Sequence, residues 1–395
     1  MEQVTGFRGQ YAALFGRPWP VWGAALLIGT LNAFLFAFDR PWTASDGARN
    51  WGDWVLVGLG VLERPDLLPP WLYSGSILNL GVLLGACAAA LLSREFAIRV
   101  APPPELLKGG LGGALMGVGA VMAFGCNIGG FVSALSALSL SGLVMMAGLG
   151  AGAYLGLRYL LWEAEHRPRW SAGRSYVFGA VDGRRAGALG LQPALGGLLL
   201  LALLALPLVY GGLGLAPQAG FLLFGVAFGV VFQRSRFCLV RAFREPFVTG
   251  DAEHTRAAAL AVLVSMVGFS ILKFTDLKDK GDWVFPGVWV GALAGGLLFG
   301  IGMVLAGGCG AGAIWRAGEG QVKLWVVVAG FALGAPLARL ALAQSGLLPK
   351  LGRAVFLPQA LGWGGAMGLV VLVMAAWYAF ATWNEETGRF SAVGA

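Results

Sequence analysis

Four cysteines are the residues of this chain with the most distinctive chemistry, and they are spread along the sequence at Cys87, Cys126, Cys238 and Cys309. No two of them form a Cys-x-x-Cys pair, which disfavours a thioredoxin-like redox motif and a structural zinc knuckle. The two histidines, His166 and His254, fall in predicted loops, neither close to a cysteine. We therefore predict no metal site and no cofactor.

A thiol is a weak, soft hydrogen-bond partner, so it suits a substrate whose terminal atom is sulfur or selenium. Cys238 lies among basic residues, of which Arg236, Arg241 and Arg244 are candidates for steering an anion. Such basic surroundings favour the thiolate form, although positive-inside topology alone could equally place arginines here. Cys87 could equally be a small apolar packing residue, and we include it in the candidate substrate path.

Cys126 and Cys309 occupy the same position of an internal repeat. Residues 113–130 match residues 296–313 at a constant offset of 183, with nine of eighteen positions identical. The residues predicted to form the two turns are Gly125, Asn127, Gly129, Gly308, Gly310 and Gly312. Glycine permits a helix to break inside a bilayer, and we expect Gly125, Gly129, Gly308 and Gly312 to form such breaks. A half-helix beginning at 131–141 would then point its N-terminus, an anion-binding feature, toward Cys126.

The elements that carry these residues are predicted to be membrane-spanning helices. The chain is 57% hydrophobic and 12% charged, whereas charged residues make up about a quarter of a soluble protein. Long stretches without charge predict about ten helices, near residues 20–38, 72–92, 109–126, 142–161, 190–210, 219–233, 257–272, 287–308, 323–343 and 360–381. The fold class is an all-α polytopic membrane protein with nine to ten spanning segments, short broken or re-entrant helices and an internal pseudo-two-fold repeat.

The distribution of basic residues predicts the orientation. Arginines and lysines crowd the loops after 72–92 and 219–233 and the linker 163–188, so these loops are predicted to be cytoplasmic. The two cysteine-bearing arms then run in opposite directions, as in an inverted repeat. The predicted units are a first half at 1–162 with its turn at 125–129, the cytoplasmic linker 163–188, a second half at 189–383 with its turn at 308–312, and a short tail at 384–395. The first apolar segment shows no cleavage pattern, which indicates insertion into an inner or plasma membrane.

Several of these motifs together resemble the YeeE/YedE family of sulfur-transport membrane proteins, in particular its longer, selenium-associated YedE branch. They are Gly-Ala-Cys-Ala-Ala-Ala-Leu at 85–91, Gly-Cys-Asn at 125–127, Phe-Cys-Leu-Val-Arg-Ala-Phe-Arg-Glu at 237–245 and Gly-Gly-Leu-Leu-Phe-Gly at 295–300. The resemblance implies inner-membrane uptake of thiosulfate or a related sulfur or selenium species through a narrow central path. It assigns the passing of the terminal sulfur to Cys126, Cys309 and Cys238, with Cys87 less certain. It also implies a small soluble sulfur-carrier protein that could dock on the basic cytoplasmic loops.

Two other function classes remain open at this point. A membrane thiol-disulfide oxidoreductase would need two cysteines whose Cα atoms lie within about 7 Å. A membrane anchor for a sulfur-carrier complex would use the arginine-rich loops but would leave the glycine-cysteine repeat unexplained. ATP-driven transport is disfavoured because the sequence has no phosphate-binding Gly-x-x-x-x-Gly-Lys loop. Nucleic-acid binding is disfavoured because the basic residues lie in short loops between apolar segments. We predict a transporter and not an enzyme.

Overall fold

A computed structural model describes residues 7–168, 173–179 and 191–392. Within these residues, nine helices are long and apolar enough to cross a membrane, or ten if the bent pair Pro103–Met122 and Asn127–Ser136 forms one span. The predicted polytopic all-α fold is confirmed, and each of the ten predicted segments corresponds to a helix. The spanning helices are α2 Val21–Phe38, α4 Ser74–Leu92, α5 Pro103–Met122, α7 Leu140–His166, α8 Leu191–Gly212, α9 Ala216–Ser235, α11 Glu253–Phe274, α12 Val290–Ala306, α14 Val322–Gln344 and α15 Leu357–Thr387.

Shorter elements lie between the spanning helices. They are α1 Phe7–Phe15, α3 Ala44–Gly58, a π-helix at Asn127–Ser133 that continues into α6 Ala134–Ser136, α10 Leu239–Val248, α13 Gly310–Gly318, a 3-10 turn at Leu348–Lys350, and the strands β1 Ile98–Val100 and β2 Tyr176–Phe178. The predicted half-helix therefore begins at Asn127, directly after Cys126 and four residues earlier than expected. The difference follows from the turn, which is completed before the cysteine and not after Gly130.

Glycines hold α5 and α12 together in opposite directions. A Cβ added at Gly112 would lie 2.6 Å from the Gly302 carbonyl oxygen, and one added at Gly302 would lie 2.6 Å from the Gly112 carbonyl oxygen. Gly119 and Gly295 approach each other in the same way, at 2.5 and 2.6 Å. The repeat offset of 183 carries Gly112 onto Gly295 and Gly119 onto Gly302, so it exchanges one contact with the other. The two helices are thus antiparallel and related by a local two-fold axis.

The breaks that end α5 and α12 are also equivalent. The left-handed residue is Phe124 after α5, with φ 60°, and Gly307 after α12, with φ 71°, and these two positions are again 183 residues apart. This corrects the expectation that the glycines beside the cysteines supply the left-handed conformation. The backbone of Gly125, Gly129, Gly308 and Gly312 is not left-handed, and their role is to leave space.

Two of the predicted unit boundaries can be compared with the helices and strands. In the linker predicted at 163–188, β2 pairs antiparallel with β1, with Ile98 opposite Phe178, while residues 169–172 and 180–190 lie outside the described part of the chain. The final helix, α15, continues to Thr387, so it extends into the segment predicted as the tail. The division into two halves stays a prediction.

Candidate substrate site

Three of the four cysteines immediately precede a short helix. Cys126 caps the π-helix, Cys238 caps α10 and Cys309 caps α13, each with an extended backbone conformation. Helices begin here because the preceding turn ends a longer helix and the cysteine redirects the chain. Each start presents free N–H groups and a partial positive charge.

These three cysteines come together in space. The thiols of Cys238 and Cys309 interact with each other. A Cβ added at Gly312 would lie 3.2 Å from the Cys309 sulfur and 3.8 Å from the Cys238 sulfur, so this glycine makes room for both. A Cβ added at Gly310 would lie 3.5 Å from the Cys126 Cβ, which places the third cysteine beside the start of α13. We call Cys126, Cys238 and Cys309 the thiol cluster; all three are free and buried.

Hydroxyl groups from the start of α3 surround Cys126. The Thr43 hydroxyl lies 3.4 Å from the Cys126 sulfur and 2.9 Å from the Ser45 hydroxyl. The backbone N–H of Cys126 donates to the Ser45 hydroxyl at 3.1 Å. Gly129 permits this approach, since a Cβ there would lie only 2.4 Å from the Thr43 hydroxyl oxygen. A fourth helix, α3, therefore begins at the thiol cluster.

The remaining predicted turn residues have distinct surroundings. Gly125 packs against Gly130, where an added Cβ would lie 2.7 Å from the backbone nitrogen. Gly308 faces Leu324 at 3.3 Å, which is a tight but softer contact. The side chain of Asn127 is buried and approaches the Cys309 thiol, yet its amide nitrogen and oxygen have no hydrogen-bond partner among the described residues.

Cys87 lies apart from the thiol cluster. It is half-buried on α4, where a Cβ added at Gly318 would lie 3.2 Å from the Cys87 backbone nitrogen. Gly318 is the last residue of α13, whereas Cys309 precedes its first residue. At about 1.5 Å per residue, the length of α13 separates the two cysteines by roughly 13 Å.

A cavity of about 290 Å³ opens on the other side of Cys126, and it is lined by Thr43 and Ser45. We call it the outer vestibule because Trp283 and Phe285, which follow the loop predicted to be external, also line it. Its charged lining residues are Arg40, Asp46, Arg49 and Arg339.

Positive charge predominates at the outer vestibule. Asp46 accepts from Arg40 at 2.6 Å and from Arg49 at 3.2 Å. At the rim, Asp53 pairs with Arg64 at 2.8 Å. The four arginines, Arg40, Arg49, Arg64 and Arg339, thus face two aspartates, which leaves a net charge of +2 for this group.

The arginines predicted to steer an anion are instead engaged with carboxylates. Arg236 contacts Glu95 at 2.8 Å and Glu319 at 2.5 Å. Arg241 pairs with Asp251 at 3.4 Å, and Arg244 pairs with Glu245 at 2.5 Å. These ion pairs offset the positive charge that the sequence concentrates near Cys238.

The contacts of Arg236 extend into an ion-pair network of Glu95, Arg234, Arg236 and Glu319. Arg234 reaches Glu95 at 3.2 Å and is almost fully buried. Burial alone would raise the pKa of Glu95, but the charge of Arg236 and hydrogen bonds from Gln233 and Ser93 outweigh it and hold that pKa below its ordinary value. The guanidinium of Arg236 also lies 5.7 Å from the centre of the Trp315 ring on α13.

His254 is closer to the site than the sequence indicates. It lies buried on α11, and its Nε2 atom is 3.2 Å from the carbonyl oxygen of Arg236, two residues before Cys238. Asp251 and Glu253 could complete a three-ligand metal group with it. However, Asp251 already pairs with Arg241 and accepts from the Glu253 N–H at 2.8 Å, so it serves as the cap of α11.

Sequence reasoning missed Thr43, Ser45 and the outer arginines. A signal was present, because Thr43-x-Ser45 precedes Asp46, Arg49 and Asp53 at helical spacing, a pattern typical of a capped amphipathic helix. It was overlooked because the segment is too short and too charged to span a bilayer.

Nine or ten spanning helices around buried thiols, below a positively charged vestibule, define a multi-pass membrane transporter. The family described as sulphur transport matches this chain at residues 3–155 and 234–393. The chain belongs to this family.

Curated relatives agree with this placement. The probable transporter YedE of Escherichia coli is 30% identical over 352 residues, which cover 84% of this chain and 82% of that protein. The thiosulfate transporter TsuA of Escherichia coli is 38% identical over 107 residues, 27% of this chain and 30% of that protein. TsuA of Spirochaeta thermophila is 38% identical over 114 residues, 29% of this chain and 34% of that protein. The predicted family, multi-pass membrane location and role as a transporter are confirmed.

Proposed function

We propose that the protein takes up a thiosulfate-like sulfur or selenium anion across the inner membrane. The anion would enter through the outer vestibule, pass Cys126, and reach Cys309 and Cys238 before release into the cytoplasm. The observation that carries this proposal is the meeting of three cysteines, far apart in sequence, at the starts of three short helices. Two relatives are named thiosulfate transporters.

The chemistry of the site suits a soft anion. Helix N-termini favour negative charge without placing a fixed cation in the path. Thiols offer hydrogen bonds that are weak enough to release a terminal sulfur or selenium atom to the next thiol. The outer vestibule attracts anions, whereas the balanced ion pairs near Cys238 hold them less strongly, which favours inward release.

Uptake by purified protein in liposomes tests the proposal. Thiosulfate, sulfate, selenite and selenide are offered in parallel, and thiosulfate or a selenium analogue is expected to accumulate while sulfate is excluded. Replacing Cys126 or Cys309 with alanine is expected to slow uptake about ten- to a hundredfold, because an unpaired buried charge costs roughly 1–3 kcal/mol at 1.4 kcal/mol per decade.

The same uptake assay compares serine with alanine. Serine at either position is expected to restore uptake partly if a hydrogen-bond donor suffices, and poorly if a soft contact is needed. Cys87→Ala is the matched control, because Cys87 lies outside the thiol cluster. Full uptake in both Cys126→Ala and Cys309→Ala would refute a thiol path.

A thiol-disulfide oxidoreductase is the second candidate, and the interaction between Cys238 and Cys309 favours it. A transport path needs free thiols, whereas an oxidoreductase must cycle through a disulfide. Uptake measured with a phosphine reductant in excess separates them, since a transporter is expected to keep its rate. Loss of uptake in the reductant, with recovery after oxidation, favours the redox function.

Docking of a soluble sulfur-carrier protein on the cytoplasmic loops stays a prediction. The arginines that would attract such a partner, Arg236, Arg241 and Arg244, are paired within the chain. Energy coupling by ATP remains disfavoured on the sequence, so facilitated passage with trapping by later metabolism is the expected mode.

A further inference from the structure

The Asn127 side chain is fully buried beside the thiol cluster with its polar atoms unpaired. It follows Cys126 directly and approaches the Cys309 thiol. Among the residues that the structure describes, neither its amide nitrogen nor its amide oxygen has a hydrogen-bond partner. Buried amides nearly always have partners, because leaving one unpaired costs free energy. The unpaired donor and acceptor therefore indicate that a ligand or a water completes them.

Other buried asparagines in this fold have partners. Asn79 donates to the Ala44 carbonyl at 2.9 Å and accepts from the Trp42 indole N–H at 2.9 Å. The Asn32 amide nitrogen lies 3.2 Å from the hydroxyl oxygens of Ser133 and Ser265. The fold thus satisfies buried amides where they are structural, and Asn127 differs from them by its place in the candidate path.

The internal repeat shows that this amide belongs to one arm only. The offset of 183 carries Cys126 onto Cys309 but carries Asn127 onto Gly310. Both arms therefore supply a soft sulfur atom, and only the first arm supplies an amide. An amide N–H is a hard donor that binds oxygen well, whereas a thiol does not distinguish oxygen strongly. The site can thus contact two chemically different ends of one small anion.

We propose that Asn127 is a substrate-binding residue whose amide N–H binds an oxygen atom of the transported anion while Cys126 and Cys309 contact its terminal sulfur or selenium. This inference rests on the proposed function and narrows the substrate class to anions that carry both a soft terminal atom and oxygen atoms. Thiosulfate has both features, sulfate lacks the soft atom, and thiocyanate has a terminal sulfur but no oxygen.

Asn127→Leu tests this role, because it preserves approximate size and removes both polar atoms. Asn79→Leu is the matched control, since Asn79 is equally buried but hydrogen-bonded. The measurements are thiosulfate uptake into liposomes, inhibition of that uptake by thiocyanate, and the melting temperature of each purified variant with and without thiosulfate.

Asn127→Leu is expected to raise the KM for thiosulfate about tenfold, which corresponds to about 1.4 kcal/mol. It should leave the inhibition constant of thiocyanate unchanged, because thiocyanate has no oxygen to lose. Its melting temperature should be unchanged or higher, since no hydrogen bond within the protein is lost. Asn79→Leu should lower the melting temperature because it leaves the Trp42 N–H and the Ala44 carbonyl unpaired.

An unchanged thiosulfate KM in Asn127→Leu would overturn the inference, and so would a fall in melting temperature equal to that of Asn79→Leu. If wild-type liposomes take up no thiosulfate, the proposed function fails and binding alone decides the role of Asn127. Thiosulfate should then raise the melting temperature of the wild type and not that of Asn127→Leu. Equal shifts in the two proteins would exclude Asn127 from the binding site.

Discussion

At the scale of single residues, each thiol has its own set of polar neighbours. Cys126 has the hydroxyl of Thr43, whereas Cys309 accepts the N–H of Gly312 at 3.2 Å. A hydroxyl can donate or accept, so it can follow a thiol that changes from binding the protein to binding the substrate. The first and last thiols of the proposed path therefore differ in how strongly the protein competes for them.

Thr43→Val is expected to slow thiosulfate uptake about tenfold while changing the melting temperature little. Valine keeps the shape of threonine, and Ser45 retains the N–H of Cys126 as a partner. A lost hydrogen bond near a charged ligand costs about 1.5–3 kcal/mol. The measurement is uptake in liposomes, with Thr249→Val as a control because Thr249 follows α10, outside the thiol cluster. Equal rates in Thr43→Val and wild type would remove Thr43 from the path.

Glu95 makes stability depend on pH. Its pKa is held below the ordinary value of 4.5 in the folded protein, although burial acts in the opposite direction. Its contribution is therefore complete above about pH 4.5 and is lost as pH falls through the lower, folded-state pKa. The difference in melting temperature between wild type and Glu95→Gln should be largest near pH 7 and shrink below pH 4.5. A difference that is constant from pH 7 to pH 3.5 would contradict this assignment.

At the scale of helices, close backbone contact replaces side-chain packing between the paired spans. The closest pairs are α5 with α14, α7 with α12, and α4 with α9. Small residues let membrane helices approach closely enough for van der Waals attraction to act over the whole contact. Breaks at Phe124 and Gly307 then turn the chain so that short helices begin at the cysteines.

Gly113→Ala is expected to lower the melting temperature, because its Cβ would lie 2.2 Å from the Val327 carbonyl oxygen. Overpacking of this kind costs roughly 1–3 kcal/mol. Gly364→Ala is the matched control, since nothing lies within 4 Å of its added Cβ, and alanine is favoured in helices by about 1 kcal/mol. Both melting temperatures are measured in the same detergent. Similar values for the two variants would show that helix spacing is not limited by these glycines.

Long helices could be predicted from the sequence, and most short ones could not. A stretch such as α12 has one stable arrangement in lipid, because its apolar length must be buried and its backbone must be hydrogen-bonded internally. α3, α10 and α13 are short and partly polar, so contacts with other helices determine them. The repeat identified Cys126 and Cys309 as equivalent, but only tertiary structure shows that Cys238 joins them and that Cys87 does not.

At the scale of the whole molecule, charge differs between the two ends of the proposed path. The outer vestibule has an excess of arginine, whereas Arg236 on the opposite side is neutralised by Glu95 and Glu319. Electrostatic attraction of this kind raises the association rate of anions and weakens with salt.

Orientation of the chain can be tested with introduced cysteines in a background where the native ones are alanine. Leu277→Cys, in the loop predicted to be external, should react with an impermeant maleimide in intact cells. Arg174→Cys, in the predicted cytoplasmic linker, should react only after the membrane is broken. Both positions are exposed, so accessibility to the reagent is matched. Labelling of Arg174→Cys alone in intact cells would invert the topology.

The three clustered thiols are nearly sealed from water, with Cys126, Cys238 and Cys309 at 0%, 5% and 2% exposure. A cell that stores energy as an ion gradient loses it through any continuous thread of water. Here a proton or sodium ion would meet a dry segment, which is costly for a charge to enter, and helix N-termini that repel it. The protein thus acts as an electrical insulator, and the cell can keep it in an energised membrane without a leak current.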